Sequence, residues 1–195
     1  MKVQALLLVC LLGCAGRQPA MPPSNVELPP LSLESARPFV LQQRLRGKYG
    51  ERDVDAQVVL QWNEGALRLI GLAPFGARAF VVEQRGAEVH VESSLGRDLP
   101  FDPKHVLIDI HRVLFRGALS GQPDGQHQRD DAGEHIVERW AGGRLVERRI
   151  TAAGEKPVVI QFSAAPAPVL APVVQLVNQQ LGYTLQIETL SQQWL

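Results

Sequence analysis

Apolar and polar residues alternate along much of the chain after residue 38. In residues 54–62, Val58, Leu60 and Trp62 fall on one side of an extended backbone, with mostly polar residues on the other. Such period-two alternation predicts a strand with one buried face. Further strands are predicted at 39–46, 66–72, 78–84, 88–92, 135–140, 144–151 and 157–163, and a last one at Tyr183, Leu185 and Ile187. About eight or nine one-sided strands joined by tight turns indicate a curled antiparallel sheet.

Glycine and proline mark the turns between these strands. The run Ala73-Pro74-Phe75-Gly76 separates two predicted strands and carries a proline–glycine turn signal. Ala141-Gly142-Gly143 is typical of a hairpin turn. The polar residues 117–133 are predicted to form an exposed loop.

Two segments change to helical spacing. In residues 103–115 the apolar positions recur every three or four residues, with Asp102 as N-cap and Pro103 in the first turn. Residues 172–181 show the same spacing, with Pro172 suited to a helix start and Gly182 to its end. The sequence therefore predicts about two helices beside the sheet.

The first sixteen residues have the composition of a targeting segment and not of the strands that follow. Met1 and Lys2 precede an apolar run at residues 3–12, and Gly13 precedes Cys14. This pattern predicts a secretory leader over residues 1–13, because the apolar run is about half of the ~20 residues that a membrane-spanning helix needs. The alternative is an ordinary leader with an incidental cysteine. Both cysteines of the chain, Cys10 and Cys14, lie here, so the mature domain would hold no disulfide.

The leader is followed by a tether and a single domain. Residues 14–37 are rich in proline and lack a hydrophobic period, which indicates an extended linker reaching up to roughly 70 Å. Residues 38–195 then form one domain, with mainly β structure and some helix (α+β).

Charge and motifs exclude several classes of function. Twenty basic and twenty acidic residues cancel, and no basic stripe suggests a nucleic-acid partner. The five histidines are scattered, and we interpret them as solvated side chains and not as metal ligands. No hydrolase, phosphate-loop or dinucleotide motif occurs. We therefore expect no catalytic residue, no metal, no cofactor and a monomeric, non-enzymatic protein.

Phe75 is the one residue that prompts a functional hypothesis. It lies at a turn between Pro74 and Gly76, where solvent exposure is expected. An exposed aromatic side chain at such a position suggests a binding role. The alternative is that Phe75 folds back onto the sheet and belongs to the core.

Three stretches resemble known bacterial lipoproteins. Leu11-Leu12-Gly13-Cys14 resembles the bacterial lipobox, and the strand at 54–62, the turn at 66–76 and the closing Gly182-Tyr183-Thr184-Leu185 resemble LolB-type outer-membrane lipoproteins, closest to an uncharacterised family of small lipoproteins with that architecture. The resemblance implies lipidation of Cys14. Because Ala15 and not aspartate follows Cys14, it also implies an outer-membrane anchor facing the periplasm.

The resemblance further implies an open, unclosed barrel covered by about two helices, with an acyl-binding cavity. Pro74, Phe75 and Gly76 would form a membrane-engaging tip, and a periplasmic carrier protein is a possible partner. The expected cavity lining consists of Val58, Leu60, Trp62, Leu69, Val89, Val91, Leu107, Ile110 and Leu185. The implied function is to bind acyl chains of a lipid or lipoprotein and aid their transfer to the membrane. The rival hypothesis is a membrane-tethered protein-binding accessory of an envelope assembly system, built on a solid core.

Overall fold

The strands of the computed structural model form one antiparallel sheet. The structure describes residues 28, 37–96, 99, 101–116, 122–163 and 172–195, so the leader, Cys14 and most of the tether lie outside the described residues. The strands are β1 Phe39–Tyr49, β2 Arg52–Asn63, β3 Ala66–Leu72, β4 Arg78–Arg85, β5 Glu88–Ser93, β6 Gly125–Asp131, β7 Glu134–Ala141, β8 Arg144–Ala152, β9 Val158–Phe162, β10 Val173–Asn178 and β11 Tyr183–Trp194.

The sheet consists of two meanders, β1–β5 and β6–β11, which are joined where β1 pairs with β11. Its order is β5-β4-β3-β2-β1-β11-β10-β9-β8-β7-β6, so the first and last strands of the chain are neighbours. β5 and β6 are the two edges and do not pair with each other, which leaves the curled sheet unclosed. The predicted antiparallel, open-barrel fold is confirmed.

One helical segment lies against the inner face of this sheet. Helix α1, Pro103–Ile110, continues directly into a π-helical turn, His111–Phe115. Asp102 caps α1 as predicted, accepting a hydrogen bond from the Lys104 backbone N–H at 2.8 Å. In the described part of the chain, no helix has both the length and the apolar character that crossing a membrane requires.

The second predicted helix is wrong. Within residues 172–181, Val173–Asn178 form strand β10, which pairs with both β9 and β11. Val174 and Leu176 face the core, whereas Gln175 is exposed, so the apolar positions follow a period of two. β-branched valines and two neighbouring strands outweigh the helix-start and helix-end signals of Pro172 and Gly182.

The predicted loop at residues 117–133 is wrong in its second part. Gly125–Asp131 form edge strand β6, which pairs with β7. Polar residues occur on both of its faces, so hydrophobic periodicity does not reveal it. Arg129, on the inner face, pairs with buried Glu138 of β7 at 3.0 Å instead of packing in an apolar core.

The larger apolar core lies between α1 and strands β1–β4. Leu107 and Ile108 of α1 are buried against the inner sides of these strands. Leu28, which the sequence places in the tether, is also buried in this core, so part of that segment belongs to the domain. A smaller core on the other half of the sheet consists of Ile136, Ile150, Val158, Ile160, Val174 and Leu176.

Buried ion pairs hold the helical segment to the second half of the sheet. Arg112 in the π-helical turn donates hydrogen bonds to Asp109 of α1 at 2.9 Å and to Glu134 of β7 at 2.6 and 2.9 Å. Arg116 lies 2.9 Å from Glu134 and 2.8 Å from Asp131. Because Glu134 bridges both arginines, the end of the helical segment is fixed to the β6–β7 hairpin.

A further arginine joins this cluster from strand β8. Arg148 donates to Glu138 at 2.8 Å and to the backbone carbonyl of Arg112 at 2.5 Å, so it binds the sheet to the π-helical turn. We define the charged cluster as four arginines and four carboxylates: Arg112, Arg116, Arg129, Arg148, Asp109, Asp131, Glu134 and Glu138. Its formal charges balance, which is what burial of so many ions requires.

Two neutral side chains extend this cluster to the last strands. Asp109 accepts a hydrogen bond from the Asn178 amide at 3.2 Å and another from the Tyr183 hydroxyl. Burial, followed by the charge of Asp109, raises the pKa of Tyr183 well above its ordinary value, so the phenol stays protonated and donates. The helical segment is thereby bound to β10 and β11 as well.

His111 fixes the opposite side of the π-helical turn. Its Nε2 lies 2.8 Å from Oε1 of Gln84, whose amide group donates to the Gly86 carbonyl. Gln84 therefore accepts, and the imidazole donates. Burial, assisted by the positive charge of Arg116, lowers the pKa of His111 to about 4, which keeps the ring neutral.

Loss of Arg148 should destabilise the domain. Arg148→Met should lower the free energy of unfolding by about 3 kcal/mol, because it removes a buried partner of Glu138 and the donor to the Arg112 carbonyl. Arg139→Met, which breaks the exposed ion pair with Glu147, should cost less than about 1 kcal/mol. Urea denaturation of both variants measures the difference, and equal losses would contradict a structural role for the charged cluster.

Candidate functional site

The turn between β3 and β4 places Phe75 in solvent. Pro74–Gly76 form a tight turn, closed by hydrogen bonds from the Ala73 N–H to the Ala77 carbonyl and from the Gly76 N–H to the Ala73 carbonyl. The side chain of Phe75 is fully exposed, at 108% of its reference area. Phe75 therefore does not belong to the core, and the alternative in which it folds back onto the sheet is wrong.

The backbone of Phe75 is also strained. Its φ of 70° lies in the left-handed region, which costs a residue with a Cβ roughly 1–2 kcal/mol and is unusual for a bulky side chain. Glycine would adopt this conformation without that cost. An exposed phenylalanine at such a position contributes nothing to the core, so its presence there points to a role outside folding.

A surface hollow adjoins the turn. It has a volume of about 290 Å³ and is lined by Arg44, Asp55, Ala56, Gln57, Leu72, Ala73, Pro74, Phe75 and Gly76. Arg44 stands opposite Gln57, and Gln57 opposite Leu72, so these three side chains share the outer face of the sheet. The hollow thus lies on the face opposite the apolar core, beside the exposed aromatic ring.

An arginine–aspartate pair provides the charges of this hollow. Nε and Nη2 of Arg44 donate to the two carboxylate oxygens of Asp55 at 3.0 and 2.7 Å. This hydrogen bonding lowers the pKa of Asp55 and raises that of Arg44, so both groups remain charged over the physiological pH range. The sequence alone does not reveal this pair, because its two members lie on different strands and neither belongs to a motif.

The inner face of the sheet gathers most of the residues expected to line a cavity. Val58, Leu60, Trp62, Leu69 and Leu107 are buried in one apolar core, and Ile110 packs against it. Leu185 is half-buried on β11, opposite Leu176 of the smaller core. The residues of the larger core lie between β1–β4 and α1, so the helical segment covers this part of the apolar inner face.

Val89 and Val91 are not buried lining residues. They are 37% and 40% exposed, on the edge strand β5. Val91 pairs with Val82 and Val89 with Gln84, so both valines point to the inner face, but the helical segment does not cover them. The apolar inner face therefore continues to an uncovered edge of the sheet.

The histidines are only partly solvated. His90 is exposed, and His127 and His135 form surface hydrogen bonds. His105 and His111 are buried, contrary to the sequence interpretation. Across the described ranges, no three His, Cys, Asp or Glu residues are arranged to hold a metal ion.

Comparison with solved structures finds similar proteins. A LolA-superfamily protein from Nitrosomonas europaea superposes with a TM-score of 0.51 and 7% sequence identity, over 82% of this chain and 86% of that chain. A domain assigned to outer-membrane lipoprotein sorting in Vibrio parahaemolyticus gives a TM-score of 0.44 and 10% identity, over 81% and 85% of the two chains. The first of these confirms the expected LolA/LolB-like fold, and at such identity it shows the fold alone.

Sequence comparison places the chain in a family. No curated protein sequence matches it. The family model described as "protein of unknown function (DUF3261)" matches residues 40–191, which is most of the chain and nearly all of the described sheet. The chain belongs to this family.

Proposed function

We propose that this member of the DUF3261 family is an outer-membrane lipoprotein of the periplasm that binds acyl chains and brings them to the membrane. The observation that carries the proposal is the full exposure of Phe75 on a strained turn. Burying such a side chain in an apolar phase contributes roughly 1.5–3 kcal/mol, enough to change weak bilayer association by about tenfold or more. Pro74, Phe75 and Gly76 form the proposed membrane-engaging tip.

The apolar inner face supports the acyl-binding part of the proposal. Side chains of β1–β4 line it, and it runs on to the uncovered valines of β5. An acyl chain entering at this edge would first meet Val89 and Val91 and then displace α1 from the larger core. The proposed role is that of a carrier and not an enzyme, on the fold that the Nitrosomonas europaea protein shares.

The N-terminal segment supports the proposed location. The lipobox ending at Cys14 would attach the mature chain to the outer membrane, and the proline-rich residues that follow would hold the domain in the periplasm. Cargo would then be supplied by a periplasmic carrier protein, with the domain acting as a monomer.

One observation favours the rival function, a membrane-tethered protein-binding module. Leu107 and Ile108 of α1 are almost completely buried against the strands, as in a solid core. If α1 never leaves this position, acyl chains have no access to the inner face. Direct measurement of acyl binding separates the two hypotheses.

Cys14→Ser should release the protein from the membrane. Several acyl chains at about 0.8 kcal/mol per buried CH₂ make anchoring effectively permanent, and the variant has no thiol to acylate. We expect the wild-type protein in outer-membrane fractions, accumulation of precursor when the lipoprotein signal peptidase is inhibited, and the variant as soluble periplasmic protein. Cys10→Ser is the control and should change nothing. A firmly outer-membrane-bound Cys14→Ser protein would refute the anchor.

Changes at Phe75 should separate stability from membrane binding. Phe75→Glu in the domain without its lipid should reduce vesicle binding by about tenfold, whereas Phe75→Leu should retain most of it. Phe75→Gly should also lose binding without loss of stability, because glycine tolerates the φ of this position. Vesicle flotation and thermal unfolding measure the two properties.

Leu190→Glu supplies a matched control for these variants. Leu190 is 46% exposed on β11 and lies outside the turn, so its replacement should leave vesicle binding unchanged. A loss of several kcal/mol of stability in Phe75→Glu would show instead that the residue supports the fold, and the membrane role would lose its local support.

The unlipidated domain should bind about one fluorescent fatty-acid probe, displaceable by a lipopeptide. Val91→Glu should weaken this binding, because it places a charge on the uncovered inner edge. His90→Glu is the matched control, since His90 is the neighbouring residue on the opposite face of the same strand. Circular dichroism shows whether each variant is folded. A folded wild-type domain that binds no probe would favour the protein-binding rival.

A further inference from the structure

We propose that the hollow beside Phe75 binds a phosphoethanolamine head group, with Arg44 on the phosphate and Asp55 on the ammonium. This inference rests on the proposed insertion of Phe75 into a membrane and adds to it a lipid preference. The hollow and the exposed ring belong to one surface, because Phe75 and its two neighbours form part of the wall.

Arg44 and Asp55 retain unused hydrogen-bonding capacity. Their side chains are 34% and 59% exposed, although they pair with each other. The pair uses two of the five N–H groups of the guanidinium and about two of the four acceptor positions of the carboxylate. The remaining donors suit a phosphate, and the remaining acceptors suit an ammonium group.

The balance of charge around the hollow favours a zwitterion over an anion. Arg46 stands opposite Asp55 on the neighbouring strand, and Glu188 of β11 stands opposite Arg44. Two arginines therefore face two carboxylates, and the surroundings carry no net charge. A basic patch would attract anionic lipids. A balanced site instead matches a head group that carries one negative and one positive charge.

The position of the hollow suits the depth of a head group. Apolar faces of interfacial segments enter about 5–10 Å into the boundary between head groups and acyl chains. With the Phe75 ring at that boundary, the adjoining hollow would lie at head-group level. Its volume of about 290 Å³ is at the lower end of ligand sites, which suits a small head group.

Asp55 provides the discrimination between two zwitterionic lipids. A primary ammonium donates hydrogen bonds to a carboxylate, whereas the trimethylammonium of a choline head group has no N–H to donate. The site should therefore prefer vesicles with phosphoethanolamine over vesicles with phosphocholine head groups, and anionic phosphoglycerol lipids should not strengthen binding.

The experiment measures flotation of the unlipidated domain with vesicles of these three compositions. The wild-type domain should prefer phosphoethanolamine vesicles over phosphocholine vesicles by about tenfold, the effect of one charge-assisted interaction. Arg44→Gln should lower binding to both zwitterionic lipids, and Asp55→Asn should abolish the preference between them. Arg139→Gln, in an exposed ion pair of β7 and β8, is the control and should behave as the wild-type domain.

The outcomes separate this inference from the proposed function. If Phe75→Glu binds vesicles as well as the wild-type domain, the proposed membrane tip fails. If Phe75→Glu loses binding while folded Arg44→Gln and Asp55→Asn keep the wild-type lipid preference, the head-group site fails and the tip stands. Stronger binding to phosphoglycerol vesicles would also overturn the site. Free glycerophosphoethanolamine should compete only weakly with phosphoethanolamine vesicles. If it binds the hollow as tightly as the vesicles do, the occupant is a soluble ligand of the same chemistry and not a membrane lipid.

Discussion

The position of the helical segment depends on charges that must be buried together. Arg112 and Arg116 reach into the sheet and meet Glu134, which is 1% exposed and would be costly to leave without a cation. Arg148 closes the arrangement by binding the carbonyl of Arg112. Because Arg112 and Arg116 have carboxylate partners on the β6–β7 hairpin, displacing the segment on this side would separate Glu134 from both arginines and Asp131 from Arg116.

This constraint gives the two sides of the helical segment different energetics. On the side of β1–β4, Leu107 and Ile108 make apolar contacts that an acyl chain could replace with contacts of the same kind, and the hydrogen bond between His111 and Gln84 of β4 is the polar contact that would break. On the side of β6–β8, an acyl chain cannot replace the ion pairs of the charged cluster. If the helical segment opens for acyl chains, we therefore expect it to separate from β1–β4 and to remain bound to the sheet through the charged cluster.

Local patterns explain which parts of this structure could be predicted from sequence. The alternation around Trp62 and the turn at Phe75 depend on near neighbours, so the one-sided strands and the exposed tip follow from the residues themselves. The sequence predicts a helix at strand β10 because the apolar run between Pro172 and Gly182 fits either period. The inward-facing charges of strand β6 pair with residues of other elements: Arg129 with Glu138 and Asp131 with Arg116. Arg148 lies 36 residues from the carbonyl that it binds. Hydrophobic periodicity along the chain does not reveal contacts between residues so far apart. The hollow cannot be predicted for the same reason, because its residues come from separate strands.

In the proposed arrangement, an anchor at Cys14 and the tip at Phe75 would enter one bilayer, although the start of β1 and the tip lie at different levels of the sheet. β1 begins at Phe39, opposite Trp62, whereas the tip follows Leu72, opposite Gln57, five residues further along β2. At about 3.3 Å per residue, that separation is roughly 17 Å along the sheet. Leu28 is buried in the larger core, so the segment between Cys14 and the domain is shorter than composition suggests. An extended proline-rich chain of the length between Cys14 and Leu28 would span about 40 Å at 3.1 Å per residue, enough to run back past the sheet. In the proposed arrangement, a lipid on Cys14 and the ring of Phe75 would thus enter the same membrane, with the hollow of Arg44 and Asp55 at its surface.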